Sequence, residues 1–234
     1  MTTYINPQLD LERIGRALQI EGRVLVRDFF LPEVVDALAV AVEQIDWSLT
    51  YRDTKGDRRL SGDVLRSLAP QQRMELNEGI LNVARHEFQF SFLTESLADA
   101  VKRGDTSLLA RFTRWMADDA FLSVMRQLSG LPEINRLFAQ ATMYSRGNFL
   151  TAHDDHVKAE NRRLAYVINL TRAWRPDWGG LLHLSAPDGS VLDSYFPHFN
   201  SMALFLVPQT HYVSYVAPFA AGERNAITGW LISD

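Results

Sequence analysis

From about residue 134 to its end, the chain consists of short apolar runs punctuated by turn residues, and this half constrains the fold most. The runs fall near 136–145, 164–170, 180–186, 190–196, 201–207, 210–217 and 224–232, divided by Trp178-Gly179-Gly180, Pro187-Asp188-Gly189, Pro197, Pro208 and Ala221-Gly222. Runs of this length bounded by turn residues read as strands. Asp188-Gly189 between two of them is a hairpin signal, because glycine accepts the positive φ that tight hairpin turns require. Closely spaced strands after a helical start predict an α+β, mainly β, fold: a sandwich or jelly roll with the N-terminal helices packed on one sheet.

The first 133 residues look different. A short helix is expected over 11–18, then Gly22 introduces a strand over 23–30. Pro32 opens a helix whose Val34, Val35, Leu38, Val42 and Ile45 recur at helical spacing. A charged loop is expected over 51–63 and a second helix from Pro70 to about Arg85. Phe88, Phe90 and Phe92 alternate in a run that suits a strand or an ordered lid, and 107–129 carries the apolar stripe of a helix or helix pair ended by Gly130 and Pro132. Without repeats or a linker, the expectation is one domain over 1–234, with 1–133 as mostly helical support containing an early strand and 134–234 as the jelly-roll core.

Composition narrows the partners. A formal net charge of -4 leaves no basic excess for a phosphate backbone, so nucleic acid is not expected. The lack of cysteine removes disulfides and thiolate sites together and suits a reducing compartment. No signal peptide or membrane-length apolar run is visible, so a cytoplasmic protein with no membrane partner is expected.

The chemistry gathers around Tyr144-Ser145-Arg146-Gly147-Asn148-Phe149-Leu150-Thr151-Ala152-His153-Asp154-Asp155. In an extended segment His153 and Asp155 share a face while Asp154 points away. With a second histidine, such a pair makes the two-histidine, one-carboxylate triad that holds non-haem Fe(II) with open positions. His156 competes if the segment is helical. His183 and His198 read as packing or turn histidines, and the adjacent His86 and Glu87 as structural. His211 stands out at the start of a strand after the apolar run 202–207, with the strand 224–232 expected as its partner. On that later strand Arg224, Ala226, Thr228 and Trp230 share one face and Ile227 and Leu231 the other. A buried Arg224 needs an anion, either Glu223 or Asp193 of the chain or the carboxylate of a ligand.

These residues resemble a known family. Tyr144-x-x-Gly147-x-Phe149-Leu150-x-x-His153-x-Asp155, then Asn169, Trp174, Gly179-Gly180, Phe205, His211 and Arg224-x-x-x-Thr228-x-Trp230, are similar to the prolyl 4-hydroxylase-like Fe(II)- and 2-oxoglutarate-dependent dioxygenases, over roughly 134–234. The strand-then-helix entry at 24–47 is similar too. The resemblance implies a double-stranded β-helix (jelly roll). It implies His153, Asp155 and His211 as catalytic metal ligands, and Arg224 and Tyr144 on the cosubstrate, with Thr228 and Trp230 lining its pocket. Its cofactors would be Fe(II), 2-oxoglutarate and dioxygen, with ascorbate as a stimulant. The reaction would couple decarboxylation of 2-oxoglutarate to succinate with C–H hydroxylation. The substrate expected is a prolyl residue of a protein or peptide; the alternatives are a free amino acid or natural product, a cupin-like isomerase or hydrolase, and a silent binding module. Two departures from the family pattern bear on the cosubstrate: Tyr166 stands displaced from the tyrosine usual before Asn169, and Phe219-Ala220-Ala221-Gly222 lengthens the turn before Arg224. The loop 51–63, the phenylalanine run and the basic group Lys158, Arg162 and Arg163 are further candidates to face the substrate.

Overall fold

Local signals set the helices. The computed structural model describes residues 4–157 and 159–234, so Lys158 lies outside the described residues. Helix α1 (Leu11–Glu21) starts where the Asp10 side chain accepts from the Arg13 amide and stops at Gly22, whose φ of 71° suits a residue without a Cβ. Strand β1 (Arg23–Arg27) follows, and it ends early because Asp28 turns to a φ of 53°. Helix α2 (Pro32–Val42) begins with proline in its first turn, as does α4 (Pro70–Ala84); α3 (Gly62–Ser67) and α5 (Leu97–Lys102) are short additions. The stripe at 107–129 is a helix pair, α6 (Leu108–Ala117) and α7 (Asp119–Ser129), closed by Gly130 in the left-handed region.

Among the described residues the N-terminal part holds four strands, where the sequence suggested an early one and a further strand or lid at the phenylalanine run. The expected charged loop is a hairpin, β2 (Ser48–Asp53) with β3 (Gly56–Leu60), and the phenylalanine run enters β4 (Phe90–Ser96), which pairs with β2. High charge is compatible with an edge strand when each charge finds a cross-strand partner: Arg58 meets Asp53 at 2.6 Å and Arg59 meets Glu95.

The C-terminal part supplies β5 (Arg136–Tyr144), β6 (Phe149–His153), β7 (Arg162–Asn169), β8 (Leu182–Ser185), β9 (Val191–Tyr195), β10 (Ser201–Leu206), β11 (His211–Val213) and β12 (Arg224–Ile232). All pairs are antiparallel, in the order β1-β10-β7-β12-β5-β4-β6-β11-β8-β9, and Arg23 of one end strand donates to Asp193 of the other, so the sheet nearly closes. The β8–β9 hairpin turns at Gly189 with a φ of 88°, as its sequence predicts. The strand expected over 210–217 is shorter, and its partner differs from expectation: β11 lies between β6 and β8, while β12 lies between β5 and β7.

Alternation splits these strands between two interiors. Leu164, Tyr166, Ile168, Met202, Leu204, Ile227 and Leu231 face the helices and join Phe112, Phe121, Met125 and Leu128 in the main core. Ala165, Ala203 and Phe205 point the other way, toward Tyr144, Leu182, Leu184 and Val213. Burying a Leu or Ile contributes about 1.5–3 kcal/mol, so the helix-facing side anchors the sheet on which the second interior is built.

Candidate metal centre

Strand pairing assembles the site. The register of β11 on β6 sets His211 opposite His153, with ring centroids 4.2 Å apart. Asp155 lies past the end of β6, with a φ of 61° that aspartate tolerates better than most residues. Strand parity singles out the carboxylate that lies beside the histidines, but the structure brings it there by another route: a left-handed turn, not a continued strand, returns Asp155 to them. Its Oδ1 lies 3.2 Å from His153 Nε2 and its Oδ2 3.4 Å from His211 Nε2. Asp154 is exposed, its carboxylate accepting from the His156 amide. One ligand atom each from His153, Asp155 and His211 lie within 4.8 Å of one another.

Hydrogen bonding fixes the ring faces. His153 Nδ1 sits 3.0 Å from the Thr151 carbonyl and His211 Nδ1 2.8 Å from the Gln209 carbonyl. A carbonyl only accepts, so Nδ1 carries the proton and Nε2 offers its lone pair to the cluster. Burial, reinforced by His153, lowers the His211 pKa to about 4. Burial alone would raise Asp155, but its contacts with His153, His211 and Trp230 outweigh that and hold it at about 2. Near neutral pH the set is one carboxylate with a neutral His211, a donor chemistry that fits non-haem Fe(II).

The triad borders a cavity of about 490 Å³. Arg224 lines it at 3% exposure, donating from Nη1 to the Gly180 carbonyl at 2.8 Å while Nε has no partner. Glu223 does not pair with it and Asp193 is engaged by Arg23, so among the described residues no carboxylate neutralises this guanidinium. Isolated burial of such a charge is costly, and the cavity is where an anion can reach it. Tyr144 lies beneath the guanidinium, 5.4 Å from ring centroid to Arg224 Cζ, and burial pushes its pKa up, so its hydroxyl keeps its proton. Thr228 lines the same cavity opposite Gln140 and Val167.

Several residues gain contacts that the sequence did not assign. Trp230 lines the cavity and donates from Nε1 to Asp155 Oδ2 at 2.7 Å. Arg162 stacks 3.7 Å over its ring, while Arg163 pairs with Glu133 at 2.7 Å, away from the triad, so the basic group does not act as a unit. Tyr166 is buried in the helical core and donates to the Phe138 carbonyl at 3.0 Å, and both it and Val167 border the cavity. The rings of Phe88, Phe90, Phe92 and Tyr144 form a continuous row of contacts along one wall, tilted at the first two steps and stacked at the last, and Phe88 approaches His153 at 5.2 Å. Gln140 and Thr142 also line the cavity; polar residues alternating with apolar ones through β5 were the signal for them. His183 stacks on Tyr212 and His198 packs at a tilt against Phe196, both away from the triad, and His86 is exposed.

The relatives agree with this geometry. Residues 139–232 match the family model for the 2OG-Fe(II) oxygenase superfamily. Over 162 residues the chain is 25% identical to prolyl 3-hydroxylase OGFOD1 of Mus musculus, a match that takes in 66% of this chain and 29% of that protein. The fold is similar to a prolyl-4-hydroxylase of Pseudomonas putida, with TM-score 0.65 and 18% identity over 96% of this chain and 99% of that one. It is also similar to a prolyl hydroxylase of Trichoplax adhaerens solved with a hypoxia inducible factor peptide fragment, with TM-score 0.64 and 16% identity over 95% and 90% of the two chains. No helix among the described residues is long and apolar enough to cross a membrane. Residues 139–232 thus match the 2OG-Fe(II) oxygenase superfamily, on a double-stranded β-helix fold similar to that of the prolyl hydroxylases, and they carry a donor set that suits Fe(II) and a buried guanidinium that suits a carboxylate.

Proposed function

We propose that the chain is an Fe(II)- and 2-oxoglutarate-dependent hydroxylase acting on a prolyl residue of a protein or peptide. The observation that carries this is the buried Arg224, without a carboxylate partner, in the cavity bordered by His153, Asp155 and His211. His153 Nε2, Asp155 and His211 Nε2 hold the metal. Arg224 pairs with the distal carboxylate of 2-oxoglutarate, the protonated hydroxyl of Tyr144 donates to the same cosubstrate, and Thr228 lines its pocket. When bound, Fe(II), 2-oxoglutarate and dioxygen would supply oxidative decarboxylation to succinate and carbon dioxide, one atom of the dioxygen entering succinate and the other a C–H bond of the substrate. The chain's own work is to orient the keto acid, keep its charges paired and exclude water with the apolar wall of Phe88, Phe90, Phe92 and Leu150.

A prolyl substrate is supported by the relatives and by that wall, since aromatic faces pack well against an aliphatic ring. A cupin-like isomerase or hydrolase leaves Arg224 unexplained. The test is incubation with Fe(II), 2-oxoglutarate and cell-extract proteins, reading succinate and, by mass spectrometry, a one-oxygen gain on proline. Succinate without modified proline retires the prolyl substrate. Failure to bind 2-oxoglutarate retires the whole reading.

A further inference from the structure

We infer that Trp230 is a positioning residue for the carboxylate of Asp155 rather than a contact for the cosubstrate. The inference rests on the metal role proposed for Asp155. Alternation puts Trp230 on the face of β12 that carries Arg224 and Thr228, which is why it reads as pocket lining. Its indole N–H, however, is directed at Asp155 Oδ2, at 2.7 Å. The guanidinium of Arg162 lies 3.7 Å over the same ring, with Nη1 3.6 Å from Asp155 Oδ1 and Nη2 2.7 Å from Glu160. Phe138 packs on Trp230 at 5.5 Å between centroids, so the indole is held between an aromatic ring and a cation.

This arrangement answers a local problem. Asp155 lies beyond the end of β6 in left-handed backbone, where no strand ladder dictates the direction of its side chain. A carboxylate so placed is free to rotate unless side chains grip it. Trp230 occupies one oxygen with a neutral donor, and Arg162 stands near the other at a longer distance. The neighbours on Asp155 outside the triad thus come from β7 and β12, the rigid strands of the main core. Carboxylate ligands held by such outer partners bind metal more tightly because no ordering remains to be done when the ion arrives.

Trp230→Phe removes the N–H and keeps an aromatic ring under Arg162. Metal-free protein is titrated calorimetrically with Mn(II), and 2-oxoglutarate affinity is measured separately at saturating Mn(II). The expected result is Mn(II) affinity lower by roughly 10-fold or more, the range typical of outer-shell partners. The 2-oxoglutarate affinity at saturating metal and the melting temperature of the metal-free protein should stay near wild type. Unchanged Mn(II) affinity, or a 2-oxoglutarate loss without a metal loss, overturns the inference and returns Trp230 to the cosubstrate pocket. If Trp230→Phe does not fold, benzothienylalanine at position 230 removes the N–H at constant shape and gives the same reading. A wild-type protein that binds no Mn(II) or Fe(II) would take down the metal site and this inference together. Normal binding in both wild type and variant takes down this inference alone.

Discussion

Ile227 and Arg224 stand on the same strand at nearly the same burial, 0% and 3% exposed, and their faces obey opposite rules. The helix-facing side of β12 is apolar and closed, with Ile227 and Leu231 packed among the helices and neighbouring strands. The cavity-facing side places a guanidinium without a counter-anion, a threonine and an indole bonded to a carboxylate around open space. On the first face burial stabilises the folded chain directly. On the second, burial of polar groups costs stability until a ligand satisfies them. One strand thus holds its rigid support and its ligand site back to back, at a separation that alternation sets.

The most severe test of this division concerns the metal. His153→Ala, Asp155→Ala or His211→Ala should abolish Fe(II) binding in a calorimetric titration, while Asp154→Ala largely preserves it; equal loss in all would mean that the triad is misassigned. Next in size is Leu231→Ala on the closed face. It should destabilise by about 2–5 kcal/mol in chemical denaturation, with Mn(II) affinity of the folded fraction retained. Arg224→Ala on the open face should do the reverse. Losing a charge-assisted contact of about 1.5–3 kcal/mol corresponds to a 2-oxoglutarate affinity lower on the order of 10- to 100-fold, with metal binding kept. Metal-free stability should hold or rise, because a buried charge without a counter-anion is gone. If Arg224→Ala destabilises as much as Leu231→Ala, the two faces are not different in kind. The smallest expected effect is that of Thr228→Val, a loss of 2-oxoglutarate affinity below about tenfold, the scale of one neutral hydrogen bond.

Much of this contrast was legible in the sequence. The alternation of Arg224, Ala226, Thr228 and Trp230 against Ile227 and Leu231 separates the two faces correctly, because a strand's side-chain period is a local property. The hairpin at Asp188-Gly189 and the helix starts at Pro32 and Pro70 were equally local signals. What failed were statements about partners. β11 was expected beside β12 but lies between β6 and β8, and the charged stretch at 51–63 pairs as a hairpin onto β4. Pairing joins residues distant in the chain, and the signals used here do not encode which strand lies next to which.

The sequence by itself determined the residue types at the centre: a histidine and a carboxylate two positions apart, a later histidine at a strand start, and an arginine on a face with a threonine and a tryptophan. Their chemistry allowed a metal and called for an anion at Arg224, and the family resemblance made that anion a cosubstrate. The tertiary structure alone decided how they meet. The register of β11 on β6 puts His211 against His153, and the left-handed turn at Asp155 returns its carboxylate to them. The packing of β7 against β12 sets Arg162 on Trp230 and directs the indole at Asp155. Strand period fixes side-chain direction only while the strand lasts. Past its end, as at Asp155, only the groups that surround a side chain hold it in place.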